Sequence, residues 1–153
     1  MSKKPKTKAQ LDRAADLRLK KTYNISLADY DYLLNKNEGK CWISGKDPGT
    51  RRLHVDHDHR WKKVTIRATK YGDTWEATGT YNGVTYKTFG AKKSLAVRDL
   101  KRKLLRASVR GLLSYSSNAG LQKFSDDPEQ LRSAADYLEN FQQGSPLSGR
   151  EAE

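Results

Sequence analysis

With 153 residues, 35% of them hydrophobic and 31% charged, the chain has room for one domain, or one domain with a subdomain, around a modest core. No apolar run approaches the ~20 residues that span a bilayer and no signal-peptide core follows Met1, which predicts a soluble, cytoplasmic protein with no membrane partner. The lone cysteine, Cys41, excludes an internal disulfide and fits a reducing compartment, while a net charge of +12 points to a polyanionic partner.

Residues 1–8, rich in lysine, read as a disordered basic arm. Residues 9–21 have Leu11, Ala14, Ala15 and Leu17 near helical spacing. Ser26 is a good N-cap for a second helix that places Leu27, Tyr30, Leu33 and Leu34 on one face and closes near Gly39. Residues 41–52 are turn-rich, with Gly45 and an Asp47-Pro48-Gly49 turn. Residues 53–59 read as a short strand in which Leu53 and Val55 alternate with polar positions. Three strands follow, over 62–69, 74–81 and 84–89, the last two joined by Asn82-Gly83, a strong hairpin signal. Residues 91–107 read as a helix, 109–113 as a short apolar strand, and a turn or helix begins at Ser117 or Asn118. Asp127-Pro128-Glu129 starts a final helix to about residue 141, with Leu131, Ala134, Ala135 and Leu138 as its apolar stripe. Residues 142–153 read as a flexible tail.

Charge is spread unevenly over these elements. Residues 60–110 carry 14 basic and 3 acidic side chains, whereas residues 111–153 carry 3 and 7. A basic segment with interleaved aromatics is the electrostatic footprint of nucleic-acid binding.

All three histidines lie in one run, His54-Val55-Asp56-His57-Asp58-His59. Histidine titrates nearest neutrality and serves both as general base and as metal ligand, and carboxylates add hard oxygen donors. Two separated segments carry a resemblance. The first runs from Tyr23-Asn24-Ile25-Ser26-Leu27 through Cys41 to that histidine run. The second is Val109-Arg110-Gly111-Leu112-Leu113, then Asn118, Gly120-Leu121, Phe124, Asp127-Pro128, Leu131, Ala134-Ala135 and Tyr137-Leu138. Together they resemble the phage recombination endonuclease VII family of HNH, or ββα-metal, nucleases.

The resemblance implies an α+β fold: an HNH core discontinuous over residues 9–60 and 109–141, with N-terminal helices and an inserted three-stranded sheet plus helix over 61–108. It implies that Asp56 and Asn118 hold one divalent ion, Mg2+ or Mn2+, and that His57 is the general base for the attacking water. His59 would assist at the phosphate or metal, while His54 would point inward or orient a neighbour. Adjacent strand residues face opposite ways, so bringing Asp56 and His57 to one site requires the hairpin to twist or bulge. The implied activity is phosphodiester hydrolysis leaving 5′-phosphate and 3′-hydroxyl ends, by nicking or by cutting branched DNA such as a Holliday junction, in the cytoplasm of a phage's bacterial host.

Two departures qualify the resemblance. The family fixes its site with zinc on two Cys-x-x-Cys pairs, but here those positions are Cys41 and Ser44, then Ser114 and Ser117. One thiolate with three hydroxyls makes a poor zinc site, so no structural zinc is expected. The serines read either as natural replacements, with hydrogen bonds and the packing of Trp42 and Leu113 taking over the clamp, or as laboratory changes. The second departure is the insertion, whose β-β-β-α order is weakly similar to ethylene-response-factor-type DNA-binding domains. Candidate DNA contacts are Arg67, Lys70, Lys87, Lys92 and Lys93, with Arg110 in the core. Cutting a branched substrate twice calls for a homodimer, for which the N-terminal helices offer a surface. The rival reading is a catalytically inactive DNA-binding or phage DNA-packaging accessory protein.

Overall fold

In the computed structural model, which describes residues 5–142, five α-helices and two small antiparallel sheets form an α+β fold. The first helix, α1 (Lys8–Tyr23), starts earlier than the composition of the basic arm suggests. Thr7 caps it by a reciprocal arrangement with Gln10, which satisfies amides that would otherwise fray. Residues 1–4 of the expected arm lie outside the described residues. Asn24 ends the helix in the left-handed region (φ 55°), and Ser26 caps α2 (Leu27–Lys36) as its sequence predicts, paired with Asp29. Asp16 also accepts from the Leu27 amide at 2.9 Å, tying α1 to the start of α2.

Strand β1 (His54–His57) pairs antiparallel with β5 (Val109–Leu113), and α4 (Tyr115–Lys123) packs across both strands. Gly111 of β5 has a packing reason: a Cβ there would sit 2.8 Å from the Trp42 indole, which lies against the strand. Leu19, Ile25, Tyr30, Cys41, Leu53, Val55, Leu112 and Leu113 form the core beneath this hairpin. Tyr30 adds a buried hydrogen bond from its hydroxyl to the Leu53 carbonyl (2.9 Å).

The intervening segment forms a second core. Strands β2 (Arg67–Tyr71), β3 (Thr74–Tyr81) and β4 (Val84–Gly90) make a meander, and α3 (Lys93–Ala107) lies across one face through Ala96, Leu100 and Leu104. The β3–β4 turn has both Asn82 (φ 49°) and Gly83 (φ 77°) in the left-handed region, the geometry of the hairpin turn that Asn-Gly favours. The first strand differs from expectation. Residues 59–63 are instead a short 3-10 turn, because the Asp58 side chain caps it at the Arg60 amide (2.9 Å), and pairing with β3 begins only at Arg67.

The ends of the insertion meet. The Asp58 amide donates to the Ser108 carbonyl at 2.9 Å, so the inserted segment leaves and re-enters the hairpin at one point. The far end of α3 is also held: Arg106 forms a two-pronged ion pair with Asp29 (2.6 and 2.7 Å), and the Asn24 amide group donates to the Arg102 carbonyl (3.1 Å). The last helix, α5 (Pro128–Gln142), spans its expected range, and residues 143–153 of the expected tail lie outside the described residues. No helix among the described residues is long and apolar enough to cross a membrane.

Candidate active site

The β1–β5 register shifts between Asp56 and His57: Asp56 lies opposite Gly111, and His57 opposite Val109. Arg110 is therefore the extra residue of a β-bulge. Such a bulge re-aims the side chains beside it, which allows neighbours on one strand to serve a single site.

Asp56 is only 7% exposed, a burial that simple alternation with Val55 does not predict. Its compensation comes from the bulge. The Arg110 guanidinium donates to both carboxylate oxygens, from Nε at 2.7 Å and from one terminal nitrogen at 2.8 Å. That terminal nitrogen also reaches Asp126 at 3.0 Å, and the two carboxylates push the guanidinium pKa further up. Arg110, expected as a DNA contact, thus stands in this structure between two acids.

His57 is half-buried, with its ring edge-to-face against Tyr23 (centroids 5.4 Å) and 4.5 Å from the His59 ring. Burial first, then the nearby charges of His59, Lys62 and Arg110, lower its pKa against the opposing pull of Asp56. The neutral imidazole that results has a free lone pair, the state a general base requires. His59 is exposed at the start of the 3-10 turn. His54 is exposed too, 5.8 Å from Tyr115, which corrects the expectation that it points inward: Val55, not His54, faces the core.

Asn118 sits half-buried in α4, the helix that packs on both hairpin strands. The Asp56 carboxylate and the Asn118 amide are hard oxygen donors, the chemistry Mg2+ and Mn2+ select, and such ions complete their shells with water and phosphate. The donor set fits such an ion on that chemistry, with Arg110 as its competitor for Asp56. Among the described residues no three His, Cys, Asp or Glu side chains cluster as a metal site.

Behind the hairpin, Cys41, Ser114 and Ser117 converge. Ser114 caps α4, its amide donates to the Cys41 sulfur (3.2 Å), and the Ser117 hydroxyl lies 3.4 Å from that sulfur and 3.0 Å from the Ser114 hydroxyl. Burial would push the Cys41 thiol up. The donors around it, the Ser114 amide, the Ser117 hydroxyl and then Ser44, outweigh burial and bring it down to about 5. A hydrogen-bonded cluster thus joins residues 73 to 76 positions apart.

Among the basic candidates, Arg67 and Lys87 share the sheet face opposite α3, being register partners of Thr78. Lys87 lies 3.6 Å from Glu76. Lys70 belongs to the other parity, opposite Trp75. Lys92 is the N-cap position of α3, and Lys93 stands over the Trp75 ring at 5.7 Å. Sequence reasoning missed Tyr23, Asp126, Arg60 and Lys63. Arg60, Lys63 and Arg67 line an open cleft of about 690 Å³ with the hydroxyls of Thr65, Thr78, Thr80 and Thr85. Nothing local marks Tyr23 or Asp126; the density of basic residues after His59 was the available signal for Arg60 and Lys63.

A search of curated proteins finds no match to this chain, and neither does a search of solved structures. The sequence model described as recombination endonuclease VII does match, over residues 16–140, a span that includes the insertion as well as both strands of the bulged hairpin. The chain therefore belongs to the recombination endonuclease VII family, whose activity is that of a nuclease with DNA as substrate.

Proposed function

We propose that the protein is a metal-dependent DNA endonuclease of the HNH type, cutting duplex or branched DNA to leave 5′-phosphate and 3′-hydroxyl ends. The observation that carries this reading is the bulge, which sets the buried carboxylate of Asp56 and the half-buried imidazole of His57 side by side on a hairpin backed by α4. In this reading Asp56 and Asn118 hold the divalent ion. Bound there, Mg2+ or Mn2+ supplies charge neutralisation at the phosphate and the departing 3′ oxygen.

The chain's own residues do the rest. Neutral His57 accepts the proton of the attacking water, and Tyr23 fixes the plane of its ring. His59, exposed and 4.5 Å away, is placed to meet the phosphate. Arg110 exchanges Asp56 for Asp126 or a phosphate oxygen when the cation arrives, so Asp56 is never left without a counter-charge. The insertion docks the duplex: Arg60, Lys63 and Arg67, with the threonine hydroxyls of their cleft, are suited to phosphate oxygens, which position DNA without reading its sequence. Cys41 with Ser44, Ser114 and Ser117 replaces the zinc clamp by hydrogen bonds.

Incubation of the protein with supercoiled plasmid and a four-way junction, with Mg2+ or Mn2+ and beside His57→Ala, tests the assignment. Cutting that needs the cation and fails in His57→Ala is expected. Equal cutting by the variant, or none by the parent, would instead favour the inactive DNA-binding alternative. Stoichiometric zinc by elemental analysis would overturn the reading of the serines.

A further inference from the structure

Helix α3 has two apolar faces, and the fold uses one. Ala96, Leu100 and Leu104 seal against the sheet. A second face, Val97, Arg98, Lys101, Arg102 and Leu105 with Trp61 alongside, forms an open groove of about 490 Å³. These helix positions recur at intervals of three and four, so the groove is a stripe along the helix with an apolar floor and a basic rim. Over its full length α3 carries six basic residues against Asp99 alone.

Helix α5 is the complement. Leu131, Ala134, Ala135 and Leu138 form a stripe at the same intervals, yet Tyr137 is 72% and Leu138 60% exposed, and no other element packs substantially on the helix among the described residues. Its flanks are acidic: residues 126–142 hold Asp126, Asp127, Glu129, Asp136 and Glu139 against Arg132. Both helices are 15 residues long, about 22 Å. An uncovered apolar stripe with an acidic rim and an uncovered apolar groove with a basic rim, of equal length, occur on one chain without touching.

We propose that α5 of one copy docks in the α3 groove of a second copy, and that the second copy reciprocates. Reciprocal exchange about a two-fold axis closes the assembly, leaves neither stripe in water, and pairs the acidic C-terminal helix with the most basic helix of the chain. The nearest intrachain alternative, α5 folding onto its own α3, leaves a monomer. Occupation of the groove by DNA leaves the α5 stripe uncovered. The inference is independent of the nuclease reading: it rests on helix faces remote from the hairpin.

Analytical ultracentrifugation of the full chain tests it. A concentration-dependent dimer is expected. Leu138→Asp, at an exposed position that folding does not need, should give monomer with an unchanged circular dichroism spectrum. Charge reversal in α3, Arg98→Glu with Lys101→Glu, should weaken the dimer about tenfold or more. Adding Asp136→Lys and Glu139→Lys should restore it, which a merely unfolded variant cannot do. With Lys101→Cys and Glu139→Cys placed on separate chains and mixed, oxidation should yield a product of twice the chain mass. A monomeric parent at high micromolar concentration, a dimer indifferent to Leu138→Asp and to charge reversal, or cross-linking only within one chain in the double-cysteine variant would each overturn the proposal.

Discussion

Arg110 takes the extra place in the bulge, and from there its guanidinium neutralises a carboxylate 54 residues earlier in the chain. Removing one member of a buried pair leaves the other uncompensated, at a cost of about 3–5 kcal/mol when both are fully buried. Arg110 is 36% exposed on its side chain, so Arg110→Ala is expected to cost less than that, about 2–3 kcal/mol, by denaturant unfolding in chelator. Mn2+ should then raise the melting temperature of Arg110→Ala more than that of the parent, because the cation replaces the missing positive charge. An equal rise in both would argue against Asp56 as the ligand. Cys41 makes a similar case for hydrogen bonding. Cys41→Ala deprives the Ser114 amide of its acceptor at a site 1% exposed, and a destabilisation of about 1–3 kcal/mol is expected in the same unfolding assay.

Secondary-structure elements are joined by a few specific interactions, and two can be tested directly. Gly111 admits the Trp42 ring onto β5; Gly111→Ala puts a methyl 2.8 Å from it and should lower stability by about 1–3 kcal/mol, with a shifted tryptophan emission as the ring moves. The α3–α2 ion pair has a pH signature. The Arg106 guanidinium beside Asp29, helped by the Ser26 amide and hydroxyl, holds the Asp29 carboxyl well below its ordinary 3.8 despite burial. A carboxyl depressed on folding adds stability above its unfolded pKa, and that stability disappears as pH falls through the folded pKa. Acidification below about pH 4 should therefore lower the melting temperature of the parent more steeply than that of Asp29→Asn, which has no proton to gain there. Parallel curves would show that the pair contributes nothing.

At the scale of the molecule, two cores share a narrow waist. Asp58 is central to it: its amide closes the insertion on Ser108, while Tyr81 (2.9 Å) and Arg60 (2.8 Å) donate to its carboxylate from the insertion side. Burial would raise the Asp58 pKa, but those donors reverse the effect and hold it at about 2. The second core therefore cannot swing freely about the hairpin, and a basic cleft on it keeps a set relation to His57. Replacing Arg60, Lys63 and Arg67 by alanine should weaken binding to any duplex and flatten its salt dependence, by about 0.9 in log–log slope for each phosphate that is no longer neutralised. An unchanged slope would place the DNA elsewhere.

Most of the elements, and the identity of the chemistry, were readable in the chain before it folds. Strands 74–81 and 109–113, the Asn82-Gly83 turn and the Ser26 cap were legible because each depends on neighbours a few residues away. The histidine run and the two family segments led to the endonuclease VII family, and the family match agrees. How the site is held was settled only by folding. That Asp56 is buried on Arg110, that His54 faces outward, that residues 59–63 turn rather than extend, and that Cys41 gathers Ser114 and Ser117 all depend on partners distant in the chain or on the geometry they impose. Local propensity fixes what a segment can be; which charges and hydroxyls it meets depends on chain geometry, here on one extra residue in a hairpin.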